Sequence, residues 1–345
     1  MKTTSTVVGL LLASFIIADS GVAQTLQNTL KAGGIDDEEV ANAYYETIDP
    51  YNQRLSQSDW EDINGYNDPI NTVVVAKGHF SAGDLGFWRE ISMVRDKRDG
   101  FRGNIAFTTV NYNTEQDSLD GTNPVSIVNM EYSPGPEEDR VTKFYIYDVV
   151  TGERVASTTF DTTGEELFLP AGCFSCHGGD DDAEAPLEGG YNEGSGETNA
   201  TFLAFDANTM TFGNTTLASL EAAIKELNKA VLRTDPTKAT RKLVKGLYCG
   251  SGLPRDTQNL DYIPASWADE ADLYREVIIP SCRGCHTTSD TKLLSLAWWK
   301  SNPGKIREVV FHEHTMPNSL PNFERFWMSV QPWILDDALI RFGSP

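Results

Sequence analysis

Twice in this chain a histidine stands directly after the second of two cysteines spaced C-x-x-C. The stretches are Cys173-Phe174-Ser175-Cys176-His177 and Cys282-Arg283-Gly284-Cys285-His286. This is the attachment pattern of c-type haem. Its spacing follows from the chemistry. Two thiols must reach the two vinyl groups of one porphyrin as thioethers, and the next side chain must face the iron as proximal ligand. The two copies use four of the five cysteines and two of the five histidines. Disulfides, a zinc site built from two C-x-x-C pairs, or a dithiol redox centre are the competing uses of such cysteines. None of them requires a histidine after the second cysteine, twice. A chain carrying haem at two places must fold around two flat apolar groups, and that limits its architecture more than any other feature.

The other segments fall into order around these motifs. Residues 1–23 carry Lys2, a short apolar run over 7–17 and the small residues Gly21-Val22-Ala23, which predicts a cleaved signal peptide. No later apolar run is long enough to span a bilayer, so the expected location is periplasmic or extracellular. With 50 acidic against 28 basic residues the net charge is -22. Nucleic acid is therefore an unsuitable partner, and a basic redox partner protein is a suitable one.

Residues 24–70 are polar and acidic, with short helices expected over 36–45 and 56–63. Over 71–170, β-branched and aromatic runs bounded by turn residues predict strands at 72–76, 104–112, 124–132, 141–150, 154–160 and 166–169. Thr151-Gly152-Glu153 reads as a hairpin turn. Residues 178–200 read as an acidic loop, in which Asp180-Asp181-Asp182 is a weak calcium candidate. Leu217, Leu220, Ile224, Leu227 and Val231 fall at helical spacing, so an amphipathic helix is expected over 216–232. A second follows Asp235-Pro236, with Cys249 at its end as a buried thiol, an intermolecular disulfide being the alternative. A third helix over 269–279 should stop at Pro280. A fourth is expected over 321–330, and a last one from Pro332 to Gly343. The whole is an α+β chain: a mostly antiparallel β domain over 24–170, a first haem-binding region over 171–265, and a helical region over 266–345.

Residues 266–345 resemble a class I cytochrome c domain in their helix, C-x-x-C-H turn, Met316-Pro317 and C-terminal helices. The resemblance implies that Met316 is the distal ligand opposite His286, with His312 and His314 as rivals. The mature chain is also similar to uncharacterised di-haem cytochromes with a β-rich N-terminal part. Asp84-Leu85-Gly86-Phe87, Met130-Glu131-Tyr132-Ser133, Phe144-Tyr145-Ile146-Tyr147 and 281–286 carry that likeness, which implies architecture and no activity. For the first haem, His177 is proximal, and the distal candidates are Met93, Met130 and Met210, with His79 the remaining histidine. The expected cofactor set is two haem c per chain. The expected function is electron transfer by a carrier rather than a catalyst; the alternative is a di-haem peroxidase-like enzyme with one open haem. The β domain could also serve as a docking module that makes the chain a dedicated shuttle.

Overall fold

The computed structural model describes residues 36–160, 166–179, 190–288 and 294–343. The expected signal peptide and the Asp180-Asp181-Asp182 triplet lie outside them. The fold is α+β, with a seven-stranded antiparallel sheet in the N-terminal half and helices in the C-terminal part.

The sheet runs in the order β6-β5-β4-β3-β2-β1-β9. Its members are β1 (Val74–Phe80), β2 (Trp88–Arg95), β3 (Ile105–Tyr112), β4 (Pro124–Pro134), β5 (Arg140–Tyr147), β6 (Arg154–Val155) and β9 (Thr211–Phe212). A separate pair, β7 (Ser157–Thr159) and β8 (Glu166–Phe168), closes the region. The expected strand over 154–160 is thus divided between the two sheets. β2 was not among the expected strands, although Ile91 and Met93 stand on either side of Ser92 there and share one buried face. Between β5 and β6, Gly152 takes φ +72, and the Asp148 side chain accepts from the Val150 and Thr151 amides, which makes the turn.

Two helices cover one face of the sheet. Helix α1 (Glu38–Ile48) is capped by Asp37, whose side chain accepts from the Val40 amide at 2.8 Å, and Glu38 and Glu39 suit its positive end. It buries Ala41, Tyr44, Tyr45 and Ile48. Helix α2 (Gln57–Ile63) begins with a Ser56–Asp59 capping box. The Tyr44 and Tyr45 hydroxyls accept from the Phe144 and Ile146 amides of β5, closing backbone donors that water cannot reach.

Beneath these helices lies a buried ionic network. Glu131, fully buried, is met by Arg54, Lys143, Asn64 and Ser133. Burial by itself would raise the Glu131 carboxyl. The charges of Arg54 and Lys143, with the Asn64 and Ser133 hydrogen bonds, hold it down to about 2. Lys143 is itself kept below its ordinary value, because burial outweighs Glu131. Arg54 is therefore the stronger counter-charge.

Helix α3 (Glu115–Asp120) follows β3. Helix α4 (Ala171–His177) carries the first motif. Helices α5 (Leu217–Val231) and α6 (Lys238–Leu247) follow, with side-chain caps from Thr216 and Thr237. The apolar core takes residues from the sheet and α1 together with Cys173, Phe174, Phe202, Leu227 and Val231, so packing continues across residue 170. A second core joins Trp267, Val277, Ile278, Trp299, Phe326, Leu335 and Leu339.

Two expectations are corrected. Pro280 does not stop the third helix. Helical backbone continues through Ile279–Ser281, after a wider π turn at Tyr274–Ile278. Proline has no amide hydrogen and crowds the carbonyl four residues back, and the wider turn accommodates both. Cys249 is exposed rather than buried, with φ +58 and the Arg255 guanidinium 3.9 Å from its sulfur. The second motif forms α7 (Arg283–His286), and the chain ends with α8 (Leu320–Trp327) and α9 (Gln331–Arg341).

Candidate cofactor site

Strand register assigns one face of the sheet to a cavity. Cross-strand partners share a face, and the rows His79–Arg89–Asn111, Ile91–Thr109–Val128 and Phe107–Met130–Phe144 are such partners. All nine side chains line the cavity. Opposite them stand α4, from Gly172 to His177, and the segment Phe202–Leu203–Ala204–Phe205 with Thr209 and Met210. The lining also includes Ser81, Gly83, Asp84 and Leu85, and Gly284 with Cys285 of the second motif. The space between these walls is about 1330 Å³, mouth included.

The lining suits a large flat apolar group. Phe107, Phe144, Phe160, Phe202 and Phe205 give it an aromatic lining, with the Phe107 and Phe205 rings stacked at 5.7 Å. The thiols of Cys173 and Cys176 and the His177 ring open onto it. His177 Nδ1 lies 3.0 Å from the Thr201 carbonyl oxygen. A carbonyl only accepts, so Nδ1 carries the hydrogen and Nε2 keeps its lone pair for a metal. Orientation of a ligand imidazole by a carbonyl is a recurring support for metal-binding histidines. The Thr201 amide also donates to the His177 carbonyl at 2.9 Å, and the Phe144 ring meets the imidazole edge-on at 5.6 Å. Burial lowers the His177 imidazole to about 4, so it is neutral at pH 7 as ligation demands.

The thiols carry a second message. Burial pushes Cys282 up to about 12 and Cys173 well above its ordinary value. Dithiol redox centres work the other way, by lowering a thiol. Among the described residues, no three His, Cys, Asp or Glu side chains converge as a bare ion would need. The donors present fit porphyrin better: two thiols, one aimed imidazole and an aromatic slot.

The two motifs meet. Cys176 Sγ and Cys285 Sγ are 3.7 Å apart, although 109 residues separate them in sequence. The Thr288 hydroxyl donates to the Cys176 carbonyl, and Thr237 and Thr240 of the α6 cap donate to the Thr287 carbonyl at 2.5 and 3.1 Å. Arg283, fully buried, pairs with buried Asp206 at 2.5 Å, tying the second motif to the segment after the first. This pair was not among the expected residues; a charged residue inside a C-x-x-C is its only mark in the sequence.

Of the distal candidates for the first haem, Met130 and Met210 line the cavity. Met93 lies on the same sheet face, buried opposite Phe107, and is not among the lining residues. His79 lines the cavity too. Burial first, then the Arg89 charge, lower its imidazole to about 4. Arg89 is held by Asp84 at 2.7 Å and by Asn111 at 3.0 Å.

On the other side, Met316 and Cys282 both pack, partly buried, against the C-terminal core. His312 is exposed and paired with Glu308 at 2.8 Å, and the His314 ring rests on Trp327 at 5.2 Å. No family model, curated protein or solved structure matches this chain.

Proposed function

We propose that the chain is an exported di-haem c-type cytochrome that passes electrons between partner proteins. When bound, haem supplies one-electron chemistry, its iron alternating between Fe(III) and Fe(II). Cys173 and Cys176 would hold one group and Cys282 and Cys285 the other, with His177 and His286 as proximal ligands and Met316 as the distal ligand beside His286. The observation that carries this reading is the contact between Cys176 and Cys285 at 3.7 Å. It brings the two C-x-x-C-H motifs side by side, the arrangement an internal relay would need. His177 adds the aimed lone pair described above, and the aromatic lining offers the group apolar surroundings. Excess acidic charge on the chain suits brief, salt-sensitive contact with a basic partner.

A second reading, an enzyme with one open haem, is favoured by His79 and Arg89 sharing the cavity as base and cation. Arg89, however, is already bound by Asp84 and Asn111.

The test is direct. Protein matured in a host that attaches haem, then run on a denaturing gel, should retain haem stain and show the mass of the chain plus two haems. A bare-chain mass and no stain would overturn the proposal.

A further inference from the structure

We infer that His79 is the second axial ligand of the haem held by Cys173, Cys176 and His177. The inference rests on the di-haem reading above and extends it to a coordination that the motifs do not specify.

The backbone supplies the first argument. Lys77 pairs with Glu90 and His79 pairs with Arg89, so Gly78 is an extra residue in β1, a bulge. Without it, Gly78 would oppose Arg89, and His79 would turn to the other face, where the ionic network lies. The bulge is built with care. Gly78 takes φ +78; its amide donates to Ser118 Oγ at 3.1 Å, and its carbonyl accepts from the Thr215 hydroxyl. A side chain there would meet Leu119 at 2.7 Å and Thr215 at 2.8 Å. Bulges beside functional sites re-aim single side chains, and this one aims an imidazole into the cavity that His177 enters from the opposite wall.

The second argument is an unmet need. His79 is 2% exposed and its Nδ1 has no hydrogen-bond partner among the described residues. An apolar side chain would fill the place without stranding a polar atom, and buried polar atoms in folded proteins are in the great majority paired. A bond to iron satisfies a ring nitrogen. Met130 and Met210 line the same cavity, but a thioether needs no partner and packs as a hydrophobe. The pair His79 and His177 would make this a low-potential haem, against a higher-potential one at Met316.

The experiment uses the full-length, haem-loaded protein. Magnetic circular dichroism and electron paramagnetic resonance of the ferric form should count one bis-imidazole low-spin haem per chain. It should persist in the double variant His312→Ala, His314→Ala, which removes the rival imidazoles of the second half. His79→Ala should turn that haem high-spin while covalent haem per chain stays unchanged, and added imidazole should restore the low-spin spectrum. His79→Met, which keeps a strong ligand if the alanine variant folds poorly, should raise the potential of one haem only. The inference is overturned by a bis-imidazole signal that vanishes with His312 and His314, or by unchanged spectra in fully loaded His79→Ala. It is equally overturned by a high-spin, peroxide-reactive haem in the unaltered protein, which would favour the open-site enzyme. A chain without covalent haem would instead remove the di-haem reading, and this inference with it.

Discussion

At the scale of single residues, the sheet separates two kinds of chemistry. Met130 faces the cavity while Glu131, its neighbour, faces the ionic network. The Glu131 carboxyl sits at about 2 in the fold, against an ordinary value of 4.5. A folded value below the unfolded one stabilises the fold above the unfolded value and is lost as pH falls through the folded one. The shift corresponds to about 3 kcal/mol, which agrees with the roughly 3–5 kcal/mol expected when one member of a buried pair is removed. Glu131→Gln should therefore cost about 3 kcal/mol at neutral pH, and the difference from the unaltered protein should shrink between pH 4.5 and 2. Urea unfolding at a series of pH values reads this directly. A constant difference down to pH 2 would show that charge is not the cause. The C-x-x-C-H pattern is visible in the sequence because it is complete within five positions. The place of His79 on the cavity wall is not, because it depends on a bulge and on a facing wall contributed by residues about a hundred positions away.

At the scale of elements, the strands over 104–112 and 124–132 and the helix over 216–232 follow from periodicity, and the structure has them in place. Local signals fail where an element answers to its neighbours. β2 carries Arg89, Glu90 and Arg95, charges that read as loop until the Asp84 and Asn111 partners of Arg89 are known. Pro280 looks like a stop, yet the preceding turn widens around it. Bulging in β1 is the element on which the cavity depends most. Gly78→Ala places a side chain in the left-handed region and against Leu119. A loss of about 1–3 kcal/mol is expected, measurable as a lower urea midpoint. A variant as stable as the parent would mean that the strand can carry His79 inward without the glycine.

At the scale of the molecule, the N-terminal sheet is a wall of the first site. Phe174, Phe202, Leu227 and Val231 belong to the same core as Tyr44, Trp60 and Phe144. A fragment ending at residue 170 would expose the cavity face of five strands. It should show no cooperative unfolding transition by circular dichroism, whereas a sharp transition would mark the sheet as an independent unit. The α+β class could be read from the order of strands and helices. The meeting of the two motifs could not, since contact across 109 residues leaves no periodic trace in the chain.

The packing of the thiols has a consequence in time. Cys173 is 5% exposed, and Cys176 rests against Cys285. Cys173 is closed in while Cys176 keeps partial exposure, so whatever these sulfurs carry is fastened more readily while the polypeptide is still open. A chain that closed too early would hold its sulfurs against one another and shut the cofactor out, so the order of assembly is written into the same contact that would join the two redox centres.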